Sequence, residues 1–201
     1  MRTPNYRPRR PAVQLMALAL AGFMSAWTHL GNAEELINDG WTEGQVAAFV
    51  GGFSTGDIAA ARFEPSAACP CVVERVTLLF GGIEGSKTMR LRIWEDSTGD
   101  LAPGEERFNG EVELDGDSFA LQEIDLSASP VTVDGPFRVG LEFLSPNFPT
   151  VSRDDDNTVQ SDANYIFFES AWAAAADFGI NGDWIIRATL KTDEIFKNGF
   201  E

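Results

Sequence analysis

Apolar and polar residues alternate with period two along two stretches of the chain. In Pro136–Ser145, the side chains of Phe137, Val139, Leu141 and Phe143 fall on one side, and those of Arg138, Gly140 and Glu142 on the other. In Lys87–Asp96, Met89, Leu91 and Ile93 point one way, and Arg90, Arg92 and Trp94 the other. This is the pattern of strands with one buried and one wet face. Shorter β-rich runs predict further strands at Gln45–Val50, Asp57–Phe63, Val72–Phe80, Phe108–Leu114, Phe119–Leu126, Tyr165–Phe168 and Trp184–Leu190. Trp184 shares the parity of Ile186, Ala188 and Leu190, which assigns it to the core. Gly81-Gly82, Asp96–Gly104, Asp115-Gly116, Asp134-Gly135 and Asn181-Gly182 supply turn chemistry between the runs. Ser170–Asp177 is Ala-rich, short and flanked by strands, so it reads as a loop excursion. About nine strands over residues 45–191 predict an all-β fold. They would form an antiparallel two-sheet β-sandwich of jelly-roll or immunoglobulin-like topology.

The two ends of the chain depart from this pattern. Residues 1–10 carry Arg2, Arg7, Arg9 and Arg10 and no acid, and an apolar run from Val13 to Ala26 follows, then Gly31-Asn32-Ala33. A basic start, an apolar middle and small residues at the exit make residues 1–33 a signal peptide, cleaved after Ala33. The strongly apolar part falls short of the roughly 18 residues that a membrane span needs, so no span is expected once the signal is removed. The signal implies a secreted or cell-surface protein, with the periplasm as a further possible destination. Residues 34–44 are polar and Gly-bearing and read as an N-terminal lead-in. Residues 192–201 form a separate aromatic tail.

Charge narrows the chemistry. The chain holds 31 acidic and 15 basic residues and one His, for a net charge of −16. The signal contains four of the Arg and the His, and none of the acids. The exported body is therefore still more acidic than the whole chain. Nucleic acid is excluded as a partner, because phosphate contacts need clustered Lys and Arg. Without His, a Ser-His-Asp triad, a Cys-His pair and the usual His-bearing zinc sites cannot be built. Carboxylate chemistry survives, and a glycoside hydrolase using an acid pair is the enzymatic alternative.

Three further features carry candidate chemistry. Cys69-Pro70-Cys71 is the only thiol pair. An exported location favours a local Cys69–Cys71 disulfide, for which the backbone must bend at Pro70. A soft-metal site, two unpaired thiols and a bond to another chain are the alternatives. Asp154, Asp155, Asp156, Asn157 and Asp162 supply oxygens densely enough for a structural calcium. They lack the alternating spacing of a calcium loop, and a solvated acidic loop is the competing reading; no other cofactor is implied. Trp94 lies on a wet face beside Arg92, where its ring could stack on a sugar or a partner side chain. Alternatively, a loop covers the ring, or Arg92 caps it through a cation–π contact. Tyr165 and Trp172 lie near a loop and could line a groove with it.

The succession ARFEPSAACPCVVERVTLLFGG, MRLRIWEDSTGDLAPGEE, FALQEIDLSASPVTVDGPFRVGLEF and GDWIIRATL resembles an accessory β-sandwich module of secreted bacterial proteins. Its markers are Asp96, Pro103-Gly104, Pro136-Phe137-Arg138-Val139-Gly140, Gly182-Asp183-Trp184 and Arg187. The resemblance implies a fold and an extracellular setting, and it brings no catalytic residues. Asp193, Ile195, Phe196, Gly199, Phe200 and Glu201 resemble the Asp-x-Ile-Phe-x-x-Gly-Phe-Glu tail of exported proteobacterial proteins. The expectation is an exported, non-enzymatic module that binds an extracellular glycan or protein surface, or serves a structural role. The pattern says nothing of oligomeric state.

Overall fold

The computed structural model describes residues 33–192 apart from residues 67 and 161. Nearly all of the signal segment and the tail motif lie outside these residues. The described chain is all-β. Its fourteen strands are β1 (Ala33–Ile37), β2 (Ala48–Phe49), β3 (Ile58–Phe63), β4 (Cys71–Leu78), β5 (Phe80–Gly81), β6 (Ser86–Glu95), β7 (Glu106–Asp115), β8 (Gln122–Asp125), β9 (Val131–Val133), β10 (Phe137–Phe143), β11 (Thr150–Arg153), β12 (Asn164–Phe168), β13 (Ala171–Ala174) and β14 (Ile186–Thr192). Among the described residues, no helix is long and apolar enough to cross a membrane.

Two antiparallel sheets carry the fold. One has the order β13-β12-β3-β10-β6-β7, and the other runs β1-β14-β4, with β8 and β9 both against the far edge of β4. A third, small sheet has the order β2-β11-β5. The periodicity works as the sequence leads one to expect. Met89, Leu91 and Ile93 of β6 and Phe137, Val139, Leu141 and Phe143 of β10 are fully buried. They pack in one cluster with Val73, Val76 and Leu78 of β4 and Ile186, Ala188 and Leu190 of β14. Trp184 is buried in the same cluster. Each buried Val, Leu, Ile, Phe or Met side chain here contributes about 1.5–3 kcal/mol by leaving water. A bulge interrupts the alternation of β4: the register with β14 shifts between Thr189 and Leu190, so that Glu74 and Arg75 together separate buried Val73 from buried Val76.

There are more strands than the pattern predicts, for local reasons. Residues 33–37, read as part of the signal boundary and lead-in, pair as β1 along most of β14, from Ala33 opposite Lys191 to Ile37 opposite Arg187. The run Val72–Phe80 breaks at Leu79, whose N–H bonds to the Ile185 carbonyl outside the ladder. The Ser170–Asp177 segment is a correction to the loop reading. Ala171–Ala174 pairs with β12 as β13, and Ala175–Phe178 forms one 3₁₀ turn. The turn between β12 and β13 is only Glu169-Ser170, both at positive φ. A two-residue loop of this kind matches the twist of a hairpin and forces the pairing despite the Ala-rich composition.

Candidate functional site

The side chains of the six-stranded sheet that do not face the core meet on its outer face in three rows. Strand register sets each row. One runs Trp172, Phe167, Ile58, Glu142, Arg90, Glu111. The next runs Tyr165, Ala60, Gly140, Arg92, Asn109, and the third Arg62, Arg138, Trp94, Glu106. The face is therefore aromatic and apolar over β13, β12 and β3, and charged over β10, β6 and β7. Small residues at its centre make room for rings. A Cβ at Gly140 would lie 2.8 Å from both Ile58 Cγ2 and Trp94 Cζ3, so only Gly lets the indole lie flat across β10.

Trp94, Tyr165, Ile58 and Ala60 pack as a second cluster, joined by half-buried Phe167 and Trp172. The Trp94 and Trp172 rings meet edge to face at 5.6 Å, and Phe167 and Trp172 lie 5.4 Å apart. Arg92 stands over the Trp94 ring at 4.9 Å. Arg92 also pairs with Glu106 at 2.5 Å and Glu142 at 3.3 Å, while Arg90 pairs with Glu111 at 3.1 Å and Glu142 at 3.3 Å. The charged half is thus a lattice whose cations are internally compensated.

Arg138 is the anchor beneath the aromatic half. Parity places it on the wet side, yet it is 0% exposed. The reason is its partners. Its Nε and Nη2 donate to Asp96 Oδ2 at 2.9 and 2.6 Å, its Nη1 to the Leu101 carbonyl at 2.8 Å, and its Nη2 also to the Asp100 carbonyl at 3.2 Å. The Tyr165 ring lies 3.6 Å from its guanidinium carbon and Trp172 5.1 Å. Burial pulls the guanidinium below the ordinary arginine value, against the opposing charge of Asp96. Burial also pushes the Tyr165 phenol up. Arg62 completes a triad, with its Nε 3.3 Å from Asp96 Oδ2. That Nε and Asp96 Oδ1 have no hydrogen-bond partner although both are buried, so charge rather than full hydrogen bonding holds the triad together.

The structure thus brings Trp94, Arg92, Tyr165 and Trp172 onto one face but does not expose them equally. Trp94 is 5% and Tyr165 3% exposed. They support the face from within, while Trp172 and Arg92 reach its surface. Phe167, Arg138 and Asp96 belong to the site; the sequence marks Arg138 and Asp96 only as fold markers and does not single out Phe167. Phe167 shares the parity of Tyr165, which is a readable signal. The burial of Arg138 has no local signal, because the rings that cover it come from β12 and β13.

The acidic segment, the candidate for calcium, makes hydrogen bonds and an ion pair within the protein. Asp154 is buried, and its Oδ1 and Oδ2 accept the N–H groups of Asp183 and Gly40, each at 2.8 Å. Asp155 lies 3.4 Å from Arg153 Nη1, and Asp156 accepts from the Thr158 N–H and hydroxyl. Asn157 and Asp162 occupy left-handed turn positions. Among the described residues no three His, Cys, Asp or Glu side chains converge as metal ligands. Asp183 Oδ1 accepts from the Gln160 N–H at 2.8 Å and from the Asn164 amide. Burial pushes the Asp154 and Asp183 carboxyls up. Cys69 and Cys71 are bonded to each other, with Cα atoms 4.5 Å apart.

No family model matches the chain, and no curated protein matches it. Two solved structures are similar in part. One holds the cysteine protease and lectin-like domains of Cwp84, a surface layer associated protein of Clostridium difficile, at 12% identity and a TM-score of 0.45, over 69% of this chain and 33% of that one. The other is the clostridial cysteine protease Cwp84 after propeptide cleavage, at 11% identity and a TM-score of 0.49, over 80% of this chain and 40% of that one. The chain therefore spans well under half the length of either protein it is similar to.

Proposed function

We propose that this protein is an exported, non-enzymatic β-sandwich module that binds a carbohydrate surface through the outer face of its six-stranded sheet. One observation carries the reading: half-buried Trp172 and Phe167 border a lattice of Arg90, Arg92 and Glu142 on one face. An aromatic platform beside planar charged groups suits a sugar, whose C–H faces stack and whose hydroxyls both donate and accept. The rings and guanidinium groups are already fixed by packing and ion pairs, so little ordering is needed on binding. Export is supported by the basic, apolar and small-residue layout of residues 1–33.

The non-enzymatic part is supported by the carboxylates. A general acid needs a raised pKa and a free oxygen facing a cleft. Asp154 and Asp183 have raised values, but both Asp154 oxygens and Asp183 Oδ1 accept backbone N–H groups. Glu142 faces the platform, but it lies between Arg90 and Arg92.

The test is a glycan and cell-wall binding screen on the full 201-residue chain, repeated with Trp172→Ala. Loss of a half-buried ring platform is expected to weaken binding about tenfold, the equivalent of about 1.4 kcal/mol. Binding that survives Trp172→Ala unchanged places the site elsewhere. Absence of binding to every glycan favours the structural role. Release of reducing sugar from any bound glycan would establish the hydrolase instead.

A further inference from the structure

Beyond the third row of the outer face lies a polar cleft of about 510 Å³. Asn38, Arg62, Glu64, Gly99, Gln160 and Asp162 line it, with Ala163. Its volume falls in the usual range of small-molecule sites. Its chemistry differs from the aromatic half of the face: the lining is almost wholly polar.

We propose that this cleft is a second subsite of the same glycan-binding surface, for a neutral, hydroxyl-rich oligosaccharide whose hydroxyls donate to Glu64 and Asp162. The proposal rests on the carbohydrate reading above and deepens it. Two carboxylates against one guanidinium give the cleft a net negative charge, which disfavours uronic or sialic acids. The amides are turned so that they offer acceptors. Asn38 Nδ2 donates to the Arg62 carbonyl and Gln160 Nε2 to the Asn38 carbonyl, each at 2.8 Å, which leaves the Asn38 and Gln160 side-chain oxygens as acceptors. A ligand that fits must bring many donors and no negative charge. Neutral sugars do so, and charge-assisted bonds from hydroxyl to carboxylate are the strong ones.

The cleft is connected to the platform through fixed parts. Arg62, in its wall, shares Asp96 with Arg138, and Arg138 lies under Tyr165 and Trp172. The Tyr165 hydroxyl donates to the Asp162 carbonyl at 3.2 Å. Arg138 also holds the carbonyls of Asp100 and Leu101, next to Gly99 on the opposite wall. One ion triad thus positions both the rings and the cleft walls.

The experiment uses the full-length protein with maltotriose, cellotriose, xylotriose and chitotriose as neutral probes and trigalacturonate as the anionic one. Binding is followed by calorimetry and by amide shifts. A neutral trisaccharide is expected to shift the amides of Gly99, Gln160 and Ala163. Its affinity is expected to fall about tenfold in the isosteric double variant Glu64→Gln/Asp162→Asn, which melts like the parent because both side chains are exposed. Trigalacturonate is expected to bind at least about tenfold more weakly than the neutral probe. If neutral binding is lost in Trp172→Ala but unchanged in the double variant, with no shift at Gly99, Gln160 and Ala163, the cleft is not a subsite and the platform reading stands alone. Equal affinity for trigalacturonate overturns the charge argument and with it the ligand class. Failure of every probe to bind overturns both readings.

Discussion

Asp96 and Arg138 show how much one buried charge decides. Both side chains are 0% exposed, and Arg62 at 13% is the third member. Removing one partner leaves the other charged, buried and unpaired, at a cost of about 3–5 kcal/mol. Asp96→Ala is therefore expected to lower stability by that amount in guanidinium melts. The double variant Asp96→Ala/Arg138→Met is expected to recover part of the loss, because no unpaired Arg138 charge remains in the interior. A cost for Asp96→Ala below about 1 kcal/mol would show that water reaches the triad. Sequence parity placed Arg138 correctly on the outer side of β10. It could not show that side as dry, because the covering rings belong to strands far away in the sequence. The reverse holds for Trp94: its neighbour Arg92 is two residues away, and the cap between them is local enough to be foreseen.

At the scale of elements, the β12–β13 hairpin matters most to the site, since β13 holds Trp172 against Phe167 and Trp94. Its two turn residues, Glu169 at φ 49° and Ser170 at φ 66°, both adopt a left-handed backbone that L-residues resist. Asn and Gly adopt it readily. Glu169→Asn/Ser170→Gly is expected to stabilise the protein by about 1 kcal/mol, read as a rise in melting temperature, with glycan binding unchanged. A fall in stability would mean that the Glu169 or Ser170 side chain makes contacts that outweigh the turn. The second strand of this hairpin reads as a loop excursion in the sequence because SAWAAAAD is Ala-rich and short and has few β-formers. Pairing with β12 supplied what propensity did not. By contrast β6 and β10, with strict alternation over seven or more residues, could be read directly.

Across the whole molecule, Asp154 and Asp183 tie together segments distant in the chain. Asp154 holds the Gly40 N–H of the N-terminal segment, and Asp183 holds Gln160 and Asn164. The Trp184 N–H bonds to Asn164 Oδ1 at 2.9 Å, and Arg187 pairs with Asp39 at 2.7 Å. Both Asp154 and Asp183 are raised by burial above the ordinary 3.8. Between that value and the raised one, the folded state keeps protons that the unfolded chain has released. Their contribution to stability is therefore full below the ordinary value and declines as pH rises through the window. Asp183→Asn removes the titration while keeping an acceptor oxygen. Its stability relative to the parent is expected to improve as pH rises from about 4 toward about 7, measured by urea melts at several pH values. A difference that does not change with pH would mean that Asp183 titrates in its ordinary range.

The markers Asp96, Arg138, Gly140, Asp183 and Arg187 now have physical roles, each as an ion-pair member, a cap or a close approach. Period-two patterning alone determined the two main core strands, the burial of Trp184 and the all-β class. Those follow from burying one face of a strand, which each residue expresses locally. Only the tertiary structure decided that residues 33–37 complete a sheet, that Asp154 accepts distant backbone N–H groups, and that Trp94, Tyr165 and Trp172 share one face with buried Arg138. Each of these depends on which distant strand lies beside which, and strand neighbours are set by packing between segments that no local pattern encodes.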